Sequence, residues 1–595
     1  MRTQLIAIRD YMRRNGIDLC YVPTADYHAS EYVGDYFKTR EYLTGFTGSA
    51  GTAVVTADRA LLWTDGRYFI QAEKELAGSG FELCRMGVKD VPTVEKFIES
   101  EAKEGWTISL DGRVTDAATG EKLSKIAEKN HLTLRTDPDP FAEIWPDRPS
   151  ISKVSAWELG LEYCGESRAD KIKWLAEEVE KKECGAHVIA ALDDIGWLLN
   201  IRGGDVTHVP VMLAYLIMEN GKVTLYAMDE AVAPVRAALE ADGVSIRPYD
   251  AFYEDLAKLP ADMKVLVDKR RSNYQIISRI PGEIKDENNP CVLRKSIKNE
   301  TELKNTVAAH VKDGVALTKF MYWLKKEIGN PDCDLTEATA ADRLEEFRRE
   351  QGAMDVSFDT ISAYNANAAM MHYEAEHETA AKLEAQGMLL VDSGGHYMEG
   401  TTDVTRTIVL GPIPDEWKFH YTMVCKSMIN LAKAKFLYGC SGLSLDILAR
   451  GPLWDLGLDY RCGTGHGVGY LLNIHEAPNG FRYKSVPERH DGCMFEEGMI
   501  TTDEPGLYIE GSHGIRIENE LICRKGQENE YGQFMEFEII TYAPIDLEAL
   551  DFDLFTDAEL KYLNDYHKMV YDTISPYLNQ EECEWLRNET RQISR

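Results

Sequence analysis

The stretch VDSGGHYMEGTTDVTRT, residues 391–407, decides how the carboxy-terminal half of this 595-residue chain folds. Apolar runs at residues 388–392 and 402–410 flank a glycine-rich turn, a pattern that predicts a β-hairpin. The hairpin would hold Asp392 and Asp403 on facing strands. A single aspartate in a turn is ordinarily structural, but two carboxylates placed opposite one another indicate a metal site.

Three motifs further along the chain add one imidazole and two carboxylates. His466 lies in GTGHGVG, where glycines let the backbone approach a ligand closely. Glu504 and Glu518 lie in two strand-like segments, MITTDEPGLYI and HGIRIENELI. Four carboxylates and one imidazole can bind two hard divalent ions close together, because carboxylates can bridge both ions and partly neutralise their charge. The five residues together predict a two-metal site, whereas each alone has an ordinary structural explanation.

Composition is typical of a soluble globular protein and excludes several functions. The chain is 44% hydrophobic and 28% charged. Its formal net charge of -33 argues against nucleic acid or an anionic membrane as a partner, because both require a basic face. The sequence also lacks a run of about 18 apolar residues, which a membrane helix needs. The twelve cysteines are dispersed without a CxxC spacing, which predicts reduced thiols in a cytoplasmic protein.

Two stretches rich in turn-forming residues predict connections between domains. Residues 137–150 contain four prolines, and residues 279–290 are rich in proline, glycine, asparagine and charge. These connections predict three domains: 1–150, 151–295 and 296–595.

The first two domains resemble each other in their pattern of elements. Helix-like segments open both of them, at residues 2–18 and 168–185. An apolar strand follows in each, at residues 19–27 and 186–194. The first segment is amphipathic and carries scattered charges, so it is not typical of a signal peptide. Helices that alternate with strands in this order predict an α/β domain with a mixed sheet in each half.

The third domain begins with a predicted helix. Asn299 and Glu302 have the spacing of a capping box. Apolar residues then recur at every fourth position on one face: Leu303, Val307, Val311 and Val315. Further helices are predicted near residues 336–348, 417–436 and 445–454, between the strands that carry the candidate ligands. Together with a helical tail that opens at Thr556, these elements predict an α+β domain.

The motifs as a set resemble those of the aminopeptidase P (X-Pro aminopeptidase) family, in its long three-domain type. The resemblance extends over essentially the whole chain and includes TGFTGSAGTA at 44–53 and WTDGRYF at 63–69. It implies two creatinase-like α/β N-terminal domains followed by a C-terminal pita-bread α+β catalytic domain. It also implies a homodimer.

The resemblance assigns the two metal ions and their ligands. Manganese is the family's metal, whereas ligand chemistry alone supports manganese, iron or cobalt almost equally. Asp403 and Glu518 would contact both ions or bridge them, with Asp392 on one side and the remaining two ligands on the other. The implied metal ligands are Asp392, Asp403, His466, Glu504 and Glu518.

Further residues gain substrate-binding or catalytic roles from the resemblance. His372, in MMHYEAE, would contact the transition-state carbonyl and the proline side, and His475, in LNIHEAP, would bind substrate and transfer a proton. Glu504 would shuttle a proton, and His466 would also border the substrate. Arg67 matches a position that reaches the substrate of a neighbouring subunit, where an arginine fork can hold a carboxylate or carbonyl.

Two positions depart from the family pattern. Cys462 stands four residues before His466, where the family often has a histidine. A thiol cannot act as a cationic donor, so this departure changes the expected contacts around the proline and leaves the ligands unaffected. A longer stretch at residues 481–495 predicts an enlarged surface loop.

These features predict an enzyme that releases the amino-terminal residue from peptides with proline at the second position. Proline lacks an N–H and its ring fixes φ, so ordinary recognition of an extended substrate fails there. A hydroxide bridging two metal ions would attack the scissile carbonyl. The closest alternative is a prolidase restricted to Xaa-Pro dipeptides. A non-catalytic pita-bread binding scaffold is a second alternative, but it predicts eroded ligands, and all five are present.

Overall fold

The computed structural model describes residues 1–137, 139–485 and 492–595. Two compact units divide these residues: Met1–Leu161 with Glu166–Val292, and Glu162–Gly165 with Leu293–Arg595. No helix in the described part of the chain is both long and apolar enough to cross a membrane. No disulfide joins the cysteines there. The three domain ranges predicted above remain a proposal.

The first unit contains two six-stranded mixed sheets surrounded by helices. Its strands are β1 (Leu19–Pro23), β2 (Thr52–Thr56), β3 (Ala60–Thr64), β4 (Glu82–Arg85), β5 (Thr107–Ser109), β6 (Thr133–Arg135), β7 (Trp157–Glu158), β8 (Ala186–Ile189), β9 (Ile201–Arg202), β10 (Ala214–Glu219), β11 (Lys222–Ala227), β12 (Ser245–Pro248), β13 (Val265–Val267) and β14 (Ile284–Asp286). The helices that begin in the same stretch of chain are α1 (Thr3–Asn15), α2 (Thr39–Thr44), α3 (Phe69–Glu75), α4 (Val94–Glu101), α5 (Ala117–Lys129), α6 (Phe141–Ile144), α7 (Leu161–Cys164), α8 (Arg168–Lys181), α9 (Leu192–Leu199), α10 (Asp229–Val232), α11 (Arg236–Ala241), α12 (Phe252–Leu256) and α13 (Tyr274–Arg279).

The two sheets of this unit have the same topology. Their strand orders are β4-β3-β2-β1-β5-β6 and β12-β11-β10-β8-β13-β14. The parallel and antiparallel pairings also correspond, because β1 pairs antiparallel with β2 and parallel with β5, as β8 does with β10 and β13. The similarity predicted between the first two domains is therefore confirmed at the level of topology.

The predicted connections contain more structure than their composition indicated. Helix α6 lies within the first connection, where Phe141 is buried in the core of the first sheet's domain. Strand β14 lies within the second connection and pairs in parallel with β13. Both segments gain order from tertiary contacts, which local turn propensity does not record.

The second unit contains the candidate metal ligands. Its strands are β15 (Asp355–Val356), β16 (Ile361–Tyr364), β17 (Met388–Ser393), β18 (Gly395–Tyr397), β19 (Gly400–Thr401), β20 (Val404–Val409), β21 (Lys435–Leu437), β22 (Gly465–Gly467), β23 (Glu476–Phe481), β24 (Ile500–Asp503), β25 (Gly506–Ile509), β26 (His513–Arg516), β27 (Asn519–Asn529) and β28 (Gly532–Ile539). The remaining helices are α14 (Pro290–Ser296), α15 (Glu300–Ile328), α16 (Glu337–Glu350), α17 (Asp415–Ala432), α18 (Gly442–Trp454), α19 (Asp557–Ile574) and α20 (Gln580–Glu589).

Two sheets of this unit carry most of the site. Strands β16, β17 and β20 form one, and β21-β28-β27-β24-β22-β23 form the other. Helices α17 and α19 contribute to the core cluster that also includes residues of β27 and β28, for example Met428, Leu521 and Leu563. Burying such aliphatic side chains stabilises the fold by about 1.5–3 kcal/mol each. The sheets therefore pack against a buried hydrophobic core.

Helix α15 begins as predicted but buries a different face. Asn299 and Glu302 form the capping box. Of the predicted apolar face, Val315 is fully buried, whereas Leu303, Val307 and Val311 are only half-buried. The fully buried positions of its first turns include Glu302, Thr306, His310 and Asp313. This face is polar because its partners are polar: His310 and Asp313 contact Glu520 and Arg348.

Candidate metal centre

The predicted hairpin aspartates lie on neighbouring strands. Asp392 is the penultimate residue of β17 and is paired with Thr405 of β20. Asp403 directly precedes β20. Strand β17 is buried along its whole length and consists mostly of aliphatic residues, which favour a strand packed on both faces. The pairing predicted for residues 388–392 and 402–410 is therefore confirmed, with a second small hairpin of β18 and β19 inserted between the strands.

Three of the predicted ligands form the centre of the site. One ligand atom from each of Asp403, His466 and Glu518 lies within 4.8 Å of the others. The Nε2 atom of His466 is 3.4 Å from Asp403 Oδ2 and 3.4 Å from Glu504 Oε1. Glu504 therefore adjoins the group through His466. Asp403 directly precedes β20, His466 lies in β22, Glu504 directly follows β24 and Glu518 lies in the β26–β27 connection.

The tautomer of His466 leaves a lone pair facing the carboxylates. Its Nδ1 lies 2.9 Å from the Gly467 carbonyl oxygen, which can only accept a hydrogen bond. Nδ1 therefore donates, and Nε2 is the atom that faces the carboxylates and would bind a metal ion through its lone pair. An electron pair and two carboxylate oxygens then face one another, an arrangement that a cation between them would stabilise.

Hydroxyl groups orient two of the carboxylates. Thr405 donates to Glu518 Oε2 at 2.7 Å, and Thr502 donates to Glu504 Oε1 at 3.0 Å. Each bond engages one oxygen and leaves the second oxygen of the same carboxylate for another partner. These bonds fix the direction of the ligand side chains, as outer hydrogen-bond partners do at metal sites.

Asp392 is held by an arginine. Arg516 Nη2 donates to Asp392 Oδ2 at 2.5 Å, and Arg516 also donates to Thr405 and to the hydroxyl of Tyr508. The other oxygen, Asp392 Oδ1, is buried and has no hydrogen-bond partner in the described part of the chain. Arg516 thus orients Asp392 and leaves one of its oxygens for a ligand.

Burial and mutual repulsion make protonation of the central carboxylates easier. Burial, followed by the charges of Asp392 and Glu504, raises the pKa of Asp403 well above its usual value. Burial, followed by the charges of Asp403 and Asp392, likewise raises the pKa of Glu518. A site whose carboxylates repel one another binds divalent cations favourably, because the cations offset that repulsion.

The donor set fits a divalent metal centre. Asp403 Oδ1, like Asp392 Oδ1, is buried without a hydrogen-bond partner among the described residues. Such orphaned oxygens are costly unless a ligand satisfies them. Carboxylate oxygens with a single imidazole nitrogen suit hard or intermediate divalent ions such as manganese.

The two further candidate histidines border this group differently. The ring of His475 stands perpendicular to that of His466, with centroids 4.2 Å apart. His372 lies in a turn after the segment Asn365–Ala369 and is half-buried. The carbonyl of the preceding Met371 accepts a 3.5 Å hydrogen bond from Arg516. His475 is therefore in direct contact with a candidate ligand, and His372 is joined to the site through its neighbouring backbone.

Cys462 and Arg67 occupy distinct environments. Burial, followed by the charge of Glu504, raises the pKa of the Cys462 thiol to about 12, so the thiol is neutral beside the site.

Arg67 lies in the first unit, where its guanidinium forms a fork with Asp65 at 2.8 and 2.9 Å. Its side chain is 15% exposed. Part of the predicted surface loop at 481–495, residues 486–491, lies outside the described residues.

Residues that orient the ligands were not predicted from the sequence. Arg516 binds Asp392, and Glu520 accepts the backbone N–H of Asp403 at 2.7 Å. His310, on α15, lies 3.1 Å from the same Glu520 oxygen. The available signal was the alternation Arg516, Glu518, Glu520 in RIENE, because residues two apart in an extended segment share a face.

Comparison with known families matches most of the chain. Residues 4–135 and 147–302 match the family described as Creatinase/Prolidase N-terminal domain. Residues 304–525 match Metallopeptidase family M24, and residues 533–593 match the C-terminal region of peptidase M24.

Full-length relatives and one solved structure are also similar. The chain is 38% identical to "Aminopeptidase P2" of Arabidopsis thaliana, with 98% of this chain and 86% of that protein covered. It is 35% identical to "Xaa-Pro aminopeptidase 1" of Dictyostelium discoideum, with 98% and 96% covered. The structure matches an X-prolyl aminopeptidase of Caenorhabditis elegans, described as a cytosolic enzyme with a di-nuclear active site, with a TM-score of 0.93, 33% identity and 99% of each chain covered. The predicted fold class, two creatinase-like α/β domains and a pita-bread α+β domain, is thereby confirmed.

Proposed function

The chain belongs to the aminopeptidase P family of M24 metallopeptidases, and on this premise we propose that it hydrolyses the amino-terminal Xaa-Pro bond of peptides. Membership makes the chain a peptidase with metal-dependent aminopeptidase activity. The observation that supports the proposal most strongly is the convergence of Asp403, His466 and Glu518 within 4.8 Å.

The proposed cofactor is a pair of divalent ions, with manganese as the metal. Asp392, Asp403, His466, Glu504 and Glu518 are the proposed ligands. When bound, the ions supply a Lewis acid for the scissile carbonyl and lower the pKa of a water so that hydroxide is available near neutral pH. The ions also offset the repulsion that raises the pKa values of Asp403 and Glu518.

The side chains of the site divide the remaining tasks. Glu504 Oε1 accepts the hydrogen bond from Thr502 and is also the oxygen that faces His466. The other oxygen of Glu504 is therefore the proposed proton carrier. His466 keeps Nε2 as an acceptor because its Nδ1 donates to Gly467. Arg516 holds Asp392 through one of its carboxylate oxygens.

Substrate contacts are proposed for four residues. His475 lies against His466 and would donate to the substrate and return a proton to the leaving nitrogen. His372 would donate to the oxyanion as the carbonyl becomes tetrahedral, a contact worth about two to three powers of ten in rate. His466 borders the same space. Arg67 is proposed to reach the substrate of a neighbouring subunit, with Asp65 keeping its guanidinium oriented.

Cys462 gives this chain an uncharged group near the proposed proline side. Its thiol is neutral and half-buried, and the charges of Glu504 and Arg516 both act on its pKa. A neutral thiol offers apolar contact and no cationic donor. We therefore expect the proline ring itself, rather than a charged group beyond it, to be recognised there.

A cytoplasmic homodimer is the proposed working form. Helix α18 and its surroundings expose several large apolar side chains, a feature common at association surfaces. These side chains include Ile447, Leu448, Trp454 and Leu456. Light scattering coupled to gel filtration tests the proposed dimer directly, because one chain has a mass of 67.2 kDa and a dimer twice that value.

The decisive test of the proposed function is the dependence of activity on peptide length. Metal-stripped protein reconstituted with Mn²⁺ should release arginine from Arg-Pro-Pro and should also act on an Xaa-Pro dipeptide at a lower rate. Cleavage of dipeptides alone would identify a prolidase. No cleavage of either peptide, together with no bound metal, would identify a binding scaffold.

A further inference from the structure

A buried lysine–glutamate pair includes Glu476, the residue that follows His475 in the chain. Lys298 Nζ contacts Glu476 Oε2, and their side chains are 1% and 2% exposed. Lys298 Nζ also donates to the Lys295 carbonyl oxygen at 3.1 Å. Lys295 is buried nearby, but its Nζ lies 3.8 Å from the other Glu476 oxygen. One lysine therefore makes the close contact, and the second makes a longer one.

Glu476 is the residue next to His475 and the first residue of β23. It is paired with Gly467 of β22, the residue that follows His466. The two backbones are close enough that a Cβ on Gly467 would lie 2.4 Å from the Glu476 carbonyl oxygen. The position of Glu476 consequently determines where His475 stands relative to His466.

The register of β22 and β23 shifts between His466 and Gly467, so residues 477–479 form extra chain between paired positions. Asn479 secures the far end of this segment by donating to the Ile500 carbonyl at 2.8 Å and to the Thr501 hydroxyl at 2.6 Å. Glu476 is at the near end, where the contact with Lys298 secures it. The segment that follows His475 is thus fixed at both ends.

Lys298 is itself anchored to the strand that leads to Glu504. Its backbone N–H donates to the Gly498 carbonyl at 3.1 Å, and Ile297 forms a β-bridge with Met499. Strand β24 begins at the next residue and ends one residue before Glu504. Lys298 therefore connects β23 to the same element that positions a candidate ligand.

Stability alone gives little reason for such a pair. Desolvating two charges offsets most of their attraction, so a buried ion pair adds little net stability compared with apolar side chains of similar size. What the pair does supply is a directional contact at one position. We propose that the Lys298–Glu476 pair is a positioning device that holds His475 against His466. The role of His475 in this inference rests on the proposed function.

Two methionine substitutions distinguish an effect on the position of His475 from the general effect of removing a buried ammonium group. Lys298→Met removes the close contact and leaves Glu476 with the Lys295 ammonium. Lys295→Met also removes one buried ammonium but keeps the Lys298–Glu476 contact, so it is the matched control. For each protein, the His475 ring resonance is recorded by NMR after ¹³C-histidine labelling, with His475→Gln for assignment. Bound manganese, kcat and KM for Arg-Pro-Pro are measured alongside.

Lys298→Met should shift the His475 resonance in the metal-free protein and lower kcat by about 10- to 100-fold, as expected for a displacement near 1 Å. Its manganese content should match that of the unchanged protein. Lys295→Met should leave the resonance in place and kcat within about twofold. An unmoved resonance in Lys298→Met, or equal effects of the two substitutions, would overturn the proposal.

The NMR comparison does not depend on turnover. If the unchanged protein fails to cleave Xaa-Pro peptides, the proposed function is wrong while the positioning of His475 is still decided by the resonance. If Lys298→Met does not fold, Glu476→Gln takes its place, and an unmoved His475 resonance in that variant overturns the proposal. If both fail to fold while Lys295→Met folds, the pair is a folding determinant and the proposal is overturned.

Discussion

Individual residues of the site differ in how they satisfy their polar atoms. Thr405 and Thr502 engage one oxygen each of Glu518 and Glu504. Asp392 and Asp403 each retain a buried oxygen without a hydrogen-bond partner in the described chain. Native proteins satisfy nearly all such groups. We interpret the exceptions as the points where metal ions complete the structure.

Removing Glu518, a proposed bridging carboxylate, should reduce both metal binding and activity. In Glu518→Ala, the proposed contact to both ions is lost, so we expect less than about one hundredth of the activity and reduced manganese content. His372→Ala is the matched comparison, because His372 is proposed to contact substrate only. It should lose turnover and keep its metal, as measured by activity assay and elemental analysis. Full activity in Glu518→Ala, or metal loss in His372→Ala, would contradict the assignments.

The raised pKa values of Asp403 and Glu518 predict how pH acts on the metal-free protein. In the unfolded chain these groups titrate near their ordinary values of about 3.9 and 4.3. Because the folded pKa values are higher, the folded state binds more protons and its stability falls as pH rises from about 4 through the raised values.

Metal binding must displace those protons, so manganese affinity should increase with pH in the same window. Calorimetric titrations at pH 6 in buffers of different ionisation enthalpy should reveal net proton release. Heats that are independent of the buffer would contradict this account.

Sequence reasoning found the proposed ligands but not the residues that orient them. Asp392, Asp403, His466, Glu504 and Glu518 stand out because their motifs have recognisable order and spacing. Arg516 has only the two-residue alternation with Glu518 and Glu520, and His310 has no comparable signal. Arg516 pairs with Asp392 from 124 residues away, and His310 approaches Glu520 from α15. Contacts between distant segments depend on the fold, which local pattern does not specify.

At the scale of elements, helix α18 connects to the loop that precedes His466. Arg450, on α18, donates to Asp446 at 2.8 Å, to the Tyr460 carbonyl at 2.8 Å and to the Cys462 carbonyl at 3.1 Å. Arg450 and Asp446 are fully buried. The arginine therefore ties the helix to the backbone of the glycine-rich loop, whose Thr464 carbonyl accepts the N–H of Glu504.

Arg450→Met should lower the free energy of unfolding by roughly 3–5 kcal/mol, because Asp446 would remain buried without its partner. Arg461→Met, an exposed change in the same loop, is the control and should stay within about 0.5 kcal/mol of the unchanged protein. Urea denaturation followed by tryptophan fluorescence measures both values. Equal stability of the two variants would contradict a structural role for Arg450.

Helix α15 illustrates why periodicity predicts an element better than its buried face. Its start at the capping box follows from local sequence, and the capping box is present. Its inner face is nevertheless polar around His310 and Asp313, because that face meets Glu520 and Arg348. An apolar repeat marks the core side only when the neighbouring elements are apolar too.

At the scale of the whole chain, the repeated pattern of elements predicted the fold better than the turn-rich connecting segments did. The alternation of helices and strands predicted two similar mixed sheets, and their strand orders agree. The connections were less predictable: β14 lies in a segment rich in turn formers, and its pairing with β13 gives it order. Turn-rich composition describes local preference, whereas sheet pairing is a tertiary effect.

The central claim is that the second unit holds two divalent ions between acidic side chains. Anomalous diffraction from crystals soaked in manganese tests it most directly. We predict two peaks about 3.5–4 Å apart, both contacted by Asp403 and Glu518, with Asp392 at one peak and His466 and Glu504 at the other. No peak, or a single peak with these side chains turned away from it, would contradict the account.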